Sequence, residues 1–427
     1  MRLLEYASGR INSVLNEIDQ LEGCEFPYTH SSDALRKIKS SFEDALQYLK
    51  NCPEDPESAM DLCATSLGIL FRCLPLLGFI LRSTDVRNSF EVVRPLLHIS
   101  EKLIKPRTET GKEKTKLILS SEWSYSPITY HEIPDLPGFV LIGLPAPESE
   151  NPLLIPLSGH ELGHALWNVY RLKEHLKPKF QEEIVNYIMN NQEEYKQAFP
   201  SISQINLSTK DLLESAGFPT WQHASIWVLE QAKETFCDFI GLRLFGTSFL
   251  HAFAYLLSPN VSSPRSVKYP QALKRVKNLK KAAVKYGFDI PDNFEDMFKD
   301  RPAPFLAKSE KFQLTIADNV LEKNMDVLID KAQALIREAN IPKPNIEESR
   351  RIYERFKLIV PAEKCKGLAD ILNAAWKAYN DPNLWENMEK FEKEKEKFEK
   401  KKERILKDLV LKTIEVFEVE HILKGDA

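Results

Sequence analysis

The sequence is poor in glycine and has no glycine-rich loop of the kind that binds phosphate groups. Only 15 glycines occur among its 427 residues. A nucleotide-dependent enzyme is therefore disfavoured. An excess of charge of one sign is also missing, since the formal net charge is −4. The net charge therefore produces no strong electrostatic attraction for nucleic acid or an acidic membrane, and we expect neither as the main partner.

Paired cysteines are absent as well. The six cysteines are scattered without a CxxC pair, and the N-terminal stretch "MRLLEYASGRINSVLNEIDQ" has no apolar signal-peptide core. We therefore expect a cytoplasmic protein with reduced thiols.

A long apolar run is the third missing feature. The best membrane candidate, "LGILFRCLPLLGFIL" at residues 67–81, contains Arg72 and Pro75. It is shorter than the roughly 20 residues that span a bilayer. The sequence predicts a buried core helix here and no membrane partner.

The composition that is present is typical of a folded protein, with 43% hydrophobic and 28% charged residues. A chain of this length predicts two or three structural units. We expect a mainly α (α+β) fold with three regions: helical residues 1–105, a core with a small sheet at 106–290 and helical residues 291–427.

The first region shows apolar residues at helical spacing, with Ser32 or Asp33 placed to cap a helix. The apolar positions are Leu35, Ile38, Phe42, Leu46 and Leu49. After a polar linker near residue 105, the runs "KLILSSEWSYSPITYHEI" and "GFVLIGLP" are β-rich and bounded by Pro and Gly. They predict two or three strands of a small sheet.

A long helix is predicted near the C-terminus, from "LWENMEKFEKEK" to "EVFEVEHIL". Leu384, Phe391, Phe398 and Ile405 repeat every seven residues there. Such a repeat suits a coiled-coil partner site or a helix that packs one seam onto its own protein. Glu residues offset the Lys residues between the apolar positions, so we favour the second interpretation.

The motif "HELGH", residues 160–164, lies in the apolar run "NPLLIPLSGHELGHALWNVY". Residues four apart share one face of a helix, so His160 and His164 can bind one metal ion. Glu161 stands beside that face, where it can accept a proton from metal-bound water. Gly163 has no side chain, which indicates that another element packs closely against the helix at this position. The sequence predicts a Zn²⁺ site.

A third protein ligand is required for zinc. The stretch "SIWVLEQAKETFCDFIGLRLFG" predicts a second buried helix in which Glu234 and Asp238 lie four apart. We assign Glu234 to the metal and Asp238 to the free N–H of a ligating histidine, His160. Glu230 is the fallback ligand. His223 and His251 are weaker alternatives.

HELGH followed by "ETFCD" resembles the HExxH and ExxxD motifs of the gluzincin zinc metallopeptidases. The spacing and the following "FIGLRLFG" are similar to the branch that includes the HtpX-type and CAAX-prenyl endopeptidases. The resemblance covers roughly residues 139–280 and implies a zincin-like catalytic core. That branch often has a His-Pro pair and an Arg after the second motif, where this chain has Tyr269, Pro270 and Arg275. The membrane helices of that branch are not expected here, so a membrane substrate is not implied.

These residues lead to the hypothesis of a zinc metallopeptidase that hydrolyses a peptide or protein substrate with Glu161 as the general base. An oxyanion donor is needed besides zinc, and Tyr269, Arg275, His251 and Tyr255 are the candidates. The strand "GFVLIGLP" is predicted to lie beside the cleft and hold an extended peptide by backbone pairing. Two alternatives stay open: hydrolysis of a non-peptide amide, and a helical interaction or scaffold protein with a structural or vestigial zinc site.

Overall fold

The structure, a computed structural model, divides the chain into two compact units, Met1–Glu150 and Asn151–Ala427. The three regions expected from the sequence, with boundaries near 105 and 290, stay a prediction. The structure describes the residues 2–22, 26, 29–53, 55–83, 90–104, 116–122, 127–130, 136, 138–145, 148, 151–202, 218–257, 267–298, 306–385 and 395–424.

The N-terminal unit begins with helices. They are α1 (Arg2–Glu22), α2 (Thr29–Lys50), α3 (Pro56–Arg82) and α4 (Phe90–Leu103). The predicted apolar positions of α2 are all buried, which confirms its helical spacing. The predicted cap is wrong, because α2 begins at Thr29 and Asp33 lies inside the helix, where it pairs with Lys116 and Arg36.

Helix α3 contains the apolar run and extends beyond it. The expectation that this part of the chain is too short to span a bilayer is therefore wrong for the helix as a whole. Asp55 caps the helix by accepting a hydrogen bond from the backbone N–H of Ser58 at 2.8 Å, which extends the helix upstream of the run. Pro75 is accommodated inside it. Within Ser58–Arg82, an 18-residue window has a mean hydropathy of 1.8 and is 39% buried, so by length and composition alone this helix is able to cross a membrane. One face packs into the core of the unit through residues such as Cys73 and Phe79.

Among the described residues the sheet of the N-terminal unit has three strands, which agrees with the two or three predicted. They are β1 (Lys116–Glu122), β2 (Ile128–Tyr130) and β3 (Phe139–Pro145), in the order β1-β3-β2. Strand β3 is central: it pairs in parallel with β1 along its length and antiparallel with β2 over Leu141–Gly143. The prediction that this strand binds a peptide by backbone pairing is wrong over Leu141–Gly143, because both of its edges are already paired there.

The C-terminal unit is built from helices. They are α5 (Ser158–Val169), α6 (Leu172–Asn190), α7 (Gln192–Ala198), α8 (Phe218–Phe245), α9 (Thr247–Leu257), α10 (Ala272–Tyr286), α11 (Lys308–Lys323), α12 (Met325–Glu338), α13 (Ile346–Lys357), α14 (Leu368–Tyr379) and α15 (Lys395–Lys424). Together with the small sheet of the other unit, they confirm a mainly helical chain.

Helix α8 is the central element of the C-terminal unit. It packs against α5, α11 and α12, and from Phe236 to Phe245 every residue is buried. The charged residues of this stretch, Asp238 and Arg243, therefore lie inside the unit and must find partners there.

Helix α15 packs onto its own unit, against α14. Its buried residues include Leu406, Val410 and Ile414, whereas Ile405 of the predicted seam is only half-buried. The predicted helix starts too early, because residues 382–385 form a turn. Phe391 lies outside the described residues, and so does the side chain of Phe398.

Candidate metal centre

Helix α5 carries the HELGH motif. A buried 3₁₀ turn, Pro152–Leu157, leads into it, and the side chain of Asn151 caps that turn by accepting the backbone N–H of Leu153. The indole N–H of Trp376 donates to the carbonyl of Leu153 at 3.0 Å and fixes the turn to α14. The helix that follows is buried from Leu162 to Trp167. The first turn of α5 is therefore held rigidly in the interior.

Small residues let α5 approach α8 closely. A Cβ atom on Gly163 would lie 2.7 Å from the Cα of Cys237, and one on Gly159 would lie 2.8 Å from the Cα of Gly241. Backbone atoms cannot yield at such distances, so glycine is required at both positions. The close approach predicted at Gly163 is confirmed, and it is made by the helix that carries Glu234.

Three predicted ligands converge between the two helices. Oε2 of Glu234 lies 3.3 Å from Nε2 of His160 and 3.7 Å from Nε2 of His164. Glu234 has no solvent exposure, and within the described part of the chain neither of its carboxylate oxygens completes a hydrogen bond. A buried carboxylate in that condition is costly. A cation between these three side chains would compensate it, and two imidazoles with one carboxylate are a ligand set that suits zinc.

Asp238 orients one of the histidines. Its Oδ1 lies 2.9 Å from Nδ1 of His160, the pairing predicted from the sequence. Burial would raise the pKa of Asp238, but Arg275 and His160 hold it below its ordinary value. The ionised carboxylate selects a protonated Nδ1 on His160, so that Nε2 is the nitrogen directed at Glu234.

Arg275 has a different partner from the one predicted. It was expected to stabilise an oxyanion, yet its Nε donates to Oδ2 of Asp238 at 2.9 Å and its Nη2 donates to Oδ1 at 2.8 Å. The guanidinium group lies over the aromatic rings of Phe253 and Tyr269. Because two of its nitrogens bind a buried carboxylate, Arg275 is a positioning residue for the pair of Asp238 and His160.

The titration of Glu234 and His160 reflects their mutual contact. Burial would raise the pKa of Glu234, but His160, His164 and Lys268 lower it to about 2. Burial would lower the pKa of His160, but its contacts with Asp238 and Glu234 raise it to about 10. The carboxylates are thus ionised at neutral pH and His160 carries a proton, which a metal ion bound at Nε2 would displace.

Lys268 was missed by the sequence analysis. Its Nζ lies 3.5 Å from Oε1 of Glu234 and 5.0 Å from the ring centroid of Tyr269. Its side chain is 51% exposed, so the ammonium group faces both the cluster and solvent. Gln231 of α8 donates to the carbonyl of Val267 at 3.3 Å and holds this segment in place. Only its position next to Tyr269 could have indicated Lys268.

Cys237 was also missed. One ligand atom from each of His160, His164 and Cys237 lies within 4.8 Å of the other two. The thiol is fully buried, and burial raises its pKa well above the ordinary value, reinforced by Glu234, Glu161 and Asp238. The available signal was its position three residues after Glu234, which places it on a neighbouring part of the same helix face.

The fallback ligands lie in other surroundings. Glu230 pairs with Lys233 at 2.6 Å, and His223 is exposed near the start of α8. His251 stacks on Trp376 with ring centroids 5.1 Å apart, and Tyr255 contacts the same indole edge-on. Both line a cleft of about 990 Å³ whose lining includes none of the three converging ligands. Burial lowers the pKa of His251 to about 4.

Tyr269, the first candidate for oxyanion stabilisation, lies at the rim of the site. Its side chain is partly exposed. Burial raises the pKa of its hydroxyl, and the negative charge of Glu234 adds to this effect. The phenol therefore stays protonated near neutral pH and is able to donate a hydrogen bond into the cluster.

No family model, curated protein or solved structure matches the sequence.

Proposed function

We propose that the chain is a zinc-dependent metallopeptidase. The observation that carries this proposal is the convergence of His160, His164 and Glu234 in the interior, with the oxygens of Glu234 lacking hydrogen bonds within the described residues. Among the described residues Glu234 is paired by charge alone, with His160 and Lys268 at 3.3 and 3.5 Å. A cation bound between the two packed helices would satisfy this buried carboxylate more fully.

Zinc, when bound, supplies a Lewis acid that polarises a carbonyl group and lowers the pKa of water. Glu161 follows His160 directly and is 6% exposed. Its negative charge contributes to the raised pKa values of His160 and Cys237, so it lies within electrostatic range of both. In the proposed reaction Glu161 takes a proton from the attacking water and transfers it to the departing amine.

Lys268 lies 3.5 Å from Glu234, and the neighbouring Tyr269 is also partly exposed, so both are donors that reach solvent beside the converging ligands. We assign them to the carbonyl oxygen of the substrate, where negative charge develops during attack. Arg275 acts indirectly, through Asp238, by holding the imidazole of His160 in one orientation. This division of roles replaces the expectation that Arg275 contacts the oxyanion.

A peptide is the favoured substrate because the two motifs resemble those of peptidases. A non-peptide amide would use the same residues in the same roles, since the attack requires only an activated carbonyl. A mixture of unrelated peptides, followed by mass spectrometry of the products, separates the two. Cleavage within peptide chains supports the proposal. Hydrolysis restricted to small amides would show that the substrate is a non-peptide amide.

The decisive experiment combines metal analysis with peptide hydrolysis. We expect about one zinc ion per chain in the wild type, and loss of that ion together with activity in His160→Ala. His223→Ala is the matched control, because His223 is exposed and its replacement should change neither quantity. A native wild-type protein that binds no divalent metal would overturn the proposal, and so would zinc retained unchanged in His160→Ala.

A further inference from the structure

We propose that Cys237 is a fourth protein ligand of the cation held by His160, His164 and Glu234, and that it closes the metal shell in the resting protein. The inference rests on the proposed function, since it concerns the same site.

The geometry places the thiol against both histidines. Ligand atoms of His160, His164 and Cys237 lie within 4.8 Å of one another. Ligand atoms on one tetrahedral zinc are about 3.5 Å apart, given Zn–N and Zn–S bonds of about 2.1 and 2.3 Å. The atoms of each pair therefore need to approach by about 1.3 Å at most, which is within reach of side-chain rotations of the three residues.

A second observation points to a ligand at this place. Glu234, three residues earlier on α8, is fully buried, and its carboxylate oxygens complete no hydrogen bond among the described residues. The backbone at Cys237 is fixed, because Gly163 leaves no room between its own Cα and the Cα of Cys237. The sulfur is thus held next to the converging ligands by the packing that brings the two helices together.

Sulfur is a preferred zinc ligand, and four protein ligands make a closed site, whereas three leave one position for water. On ligation the S–H bond breaks, a sulfur–metal bond forms and the proton leaves to solvent. The reverse step, protonation and withdrawal of the sulfur, reopens the position.

Cobalt(II) substitution tests this assignment without relying on activity. A thiolate ligand gives Co²⁺ an intense charge-transfer band in the near ultraviolet, whereas imidazole and carboxylate ligands give only weak visible bands. We expect the near-ultraviolet band in the Co²⁺-loaded wild type and its loss in Cys237→Ala and Cys237→Ser. Cys365→Ala is the matched control, because Cys365 is also buried but lies in the segment between α13 and α14.

The outcomes are distinguishable. Weak visible bands alone in the wild type would overturn the role of Cys237 and leave the three-ligand site standing. Absence of any bound cobalt would overturn the metal site itself and the proposed function with it. If neither Cys237 variant folds, the wild type and Cys365→Ala still decide the matter, because a band present in both identifies a thiolate ligand other than Cys365. Among the described cysteines only Cys237 lies in such a cluster with histidines.

Discussion

Two clusters of buried carboxylates in the C-terminal unit differ in how their charge is satisfied. In the cluster between α13 and α14, Glu348 accepts hydrogen bonds from Arg351 at 3.2 and 2.7 Å. Asp370 accepts the backbone N–H of Asn345 at 2.6 Å. In the cluster between α5 and α8, Glu234 faces two histidine nitrogens at 3.3 and 3.7 Å and completes no hydrogen bond among the described residues.

This difference separates a structural cluster from a candidate functional one. Folding selects hydrogen-bond partners for buried charges because an unsatisfied group destabilises the protein. Glu348 and Asp370 follow that rule, and their partners are local. Glu234 departs from it while its neighbours Asp238 and Arg275 are fully paired. Two carboxylate oxygens of one fully buried side chain without hydrogen bonds among the described residues are expected where a ligand completes the site.

Replacement of Glu161 by Gln gives the largest expected effect. The side chain keeps its shape and loses only the ability to accept a proton, so we expect peptide hydrolysis to fall by about 10²–10⁴-fold. Zinc content and thermal stability should stay at the wild-type values. Glu230→Gln, which alters a half-exposed carboxylate paired with Lys233, is the control. Full activity in Glu161→Gln would remove Glu161 as the base.

A pair of Glu→Gln variants tests most directly whether the two carboxylate clusters have different roles. Glu234→Gln removes an anionic ligand, so we expect zinc affinity to fall by at least about 100-fold. Its metal-free stability near pH 7 should also fall, because the attraction to His160, His164 and Lys268 that lowers the pKa of Glu234 to about 2 is lost. Glu348→Gln should leave the zinc affinity unchanged and lose about 1 kcal/mol in unfolding free energy. Zinc titration and urea unfolding of both variants measure this, and identical responses would contradict the distinction.

Gly163→Ala tests whether the site depends on the contact between the two helices. The added methyl group would lie 2.7 Å from the Cα of Cys237, so we expect overpacking to cost about 3 kcal/mol and to weaken zinc binding. Gly9→Ala is the control, because Gly9 lies in α1 with no atom near the new methyl group. That change should stabilise the protein by about 0.5–1 kcal/mol. An unaltered unfolding midpoint in Gly163→Ala would exclude the tight contact.

The sequence predicted the parts of this site that depend on local periodicity. Four-residue spacing placed His160 with His164 and Glu234 with Asp238, and apolar neighbours indicated that both helices are buried. The partners that arrive from elsewhere in the chain could not be predicted in the same way. Arg275 reaches Asp238 because α10 packs on α8, and the order of strands that makes β3 central depends on pairing between distant segments.

Asp238→Asn is expected to give a partial defect. Asparagine keeps an oxygen that can accept the Nδ1–H of His160 but loses the charge that strengthens this imidazole as a ligand. Changes of this kind typically reduce metal affinity or activity by about 10–100-fold. Arg275→Lys is the companion variant, because it keeps the charge near Asp238 but cannot donate two parallel hydrogen bonds. Zinc titration of both variants should show the same direction, and equal affinities in wild type and Asp238→Asn would contradict the role of Asp238.

The smallest expected effect belongs to the paired cluster and concerns pH. Burial raises the pKa of Asp370 from 3.8 to about 6, and Glu348 adds to this rise against the opposing hydrogen bond from Asn345. Between these two values the folded state binds more protons than the unfolded state, so the unfolding free energy falls as pH rises through that window.

Asp370→Asn keeps an acceptor for Asn345 and removes the titration. We therefore expect the variant to be more stable than the wild type by about 1–2 kcal/mol near pH 7, after allowance for solvent screening, and to lose this advantage near pH 4. Glu348→Gln should show the opposite slope, because Arg351 lowers the pKa of Glu348 and its contribution is lost as pH falls. Urea unfolding at both pH values measures each difference. Parallel pH profiles for the wild type and Asp370→Asn would show that the hydrogen bond from Asn345 fully offsets the burial of this carboxylate.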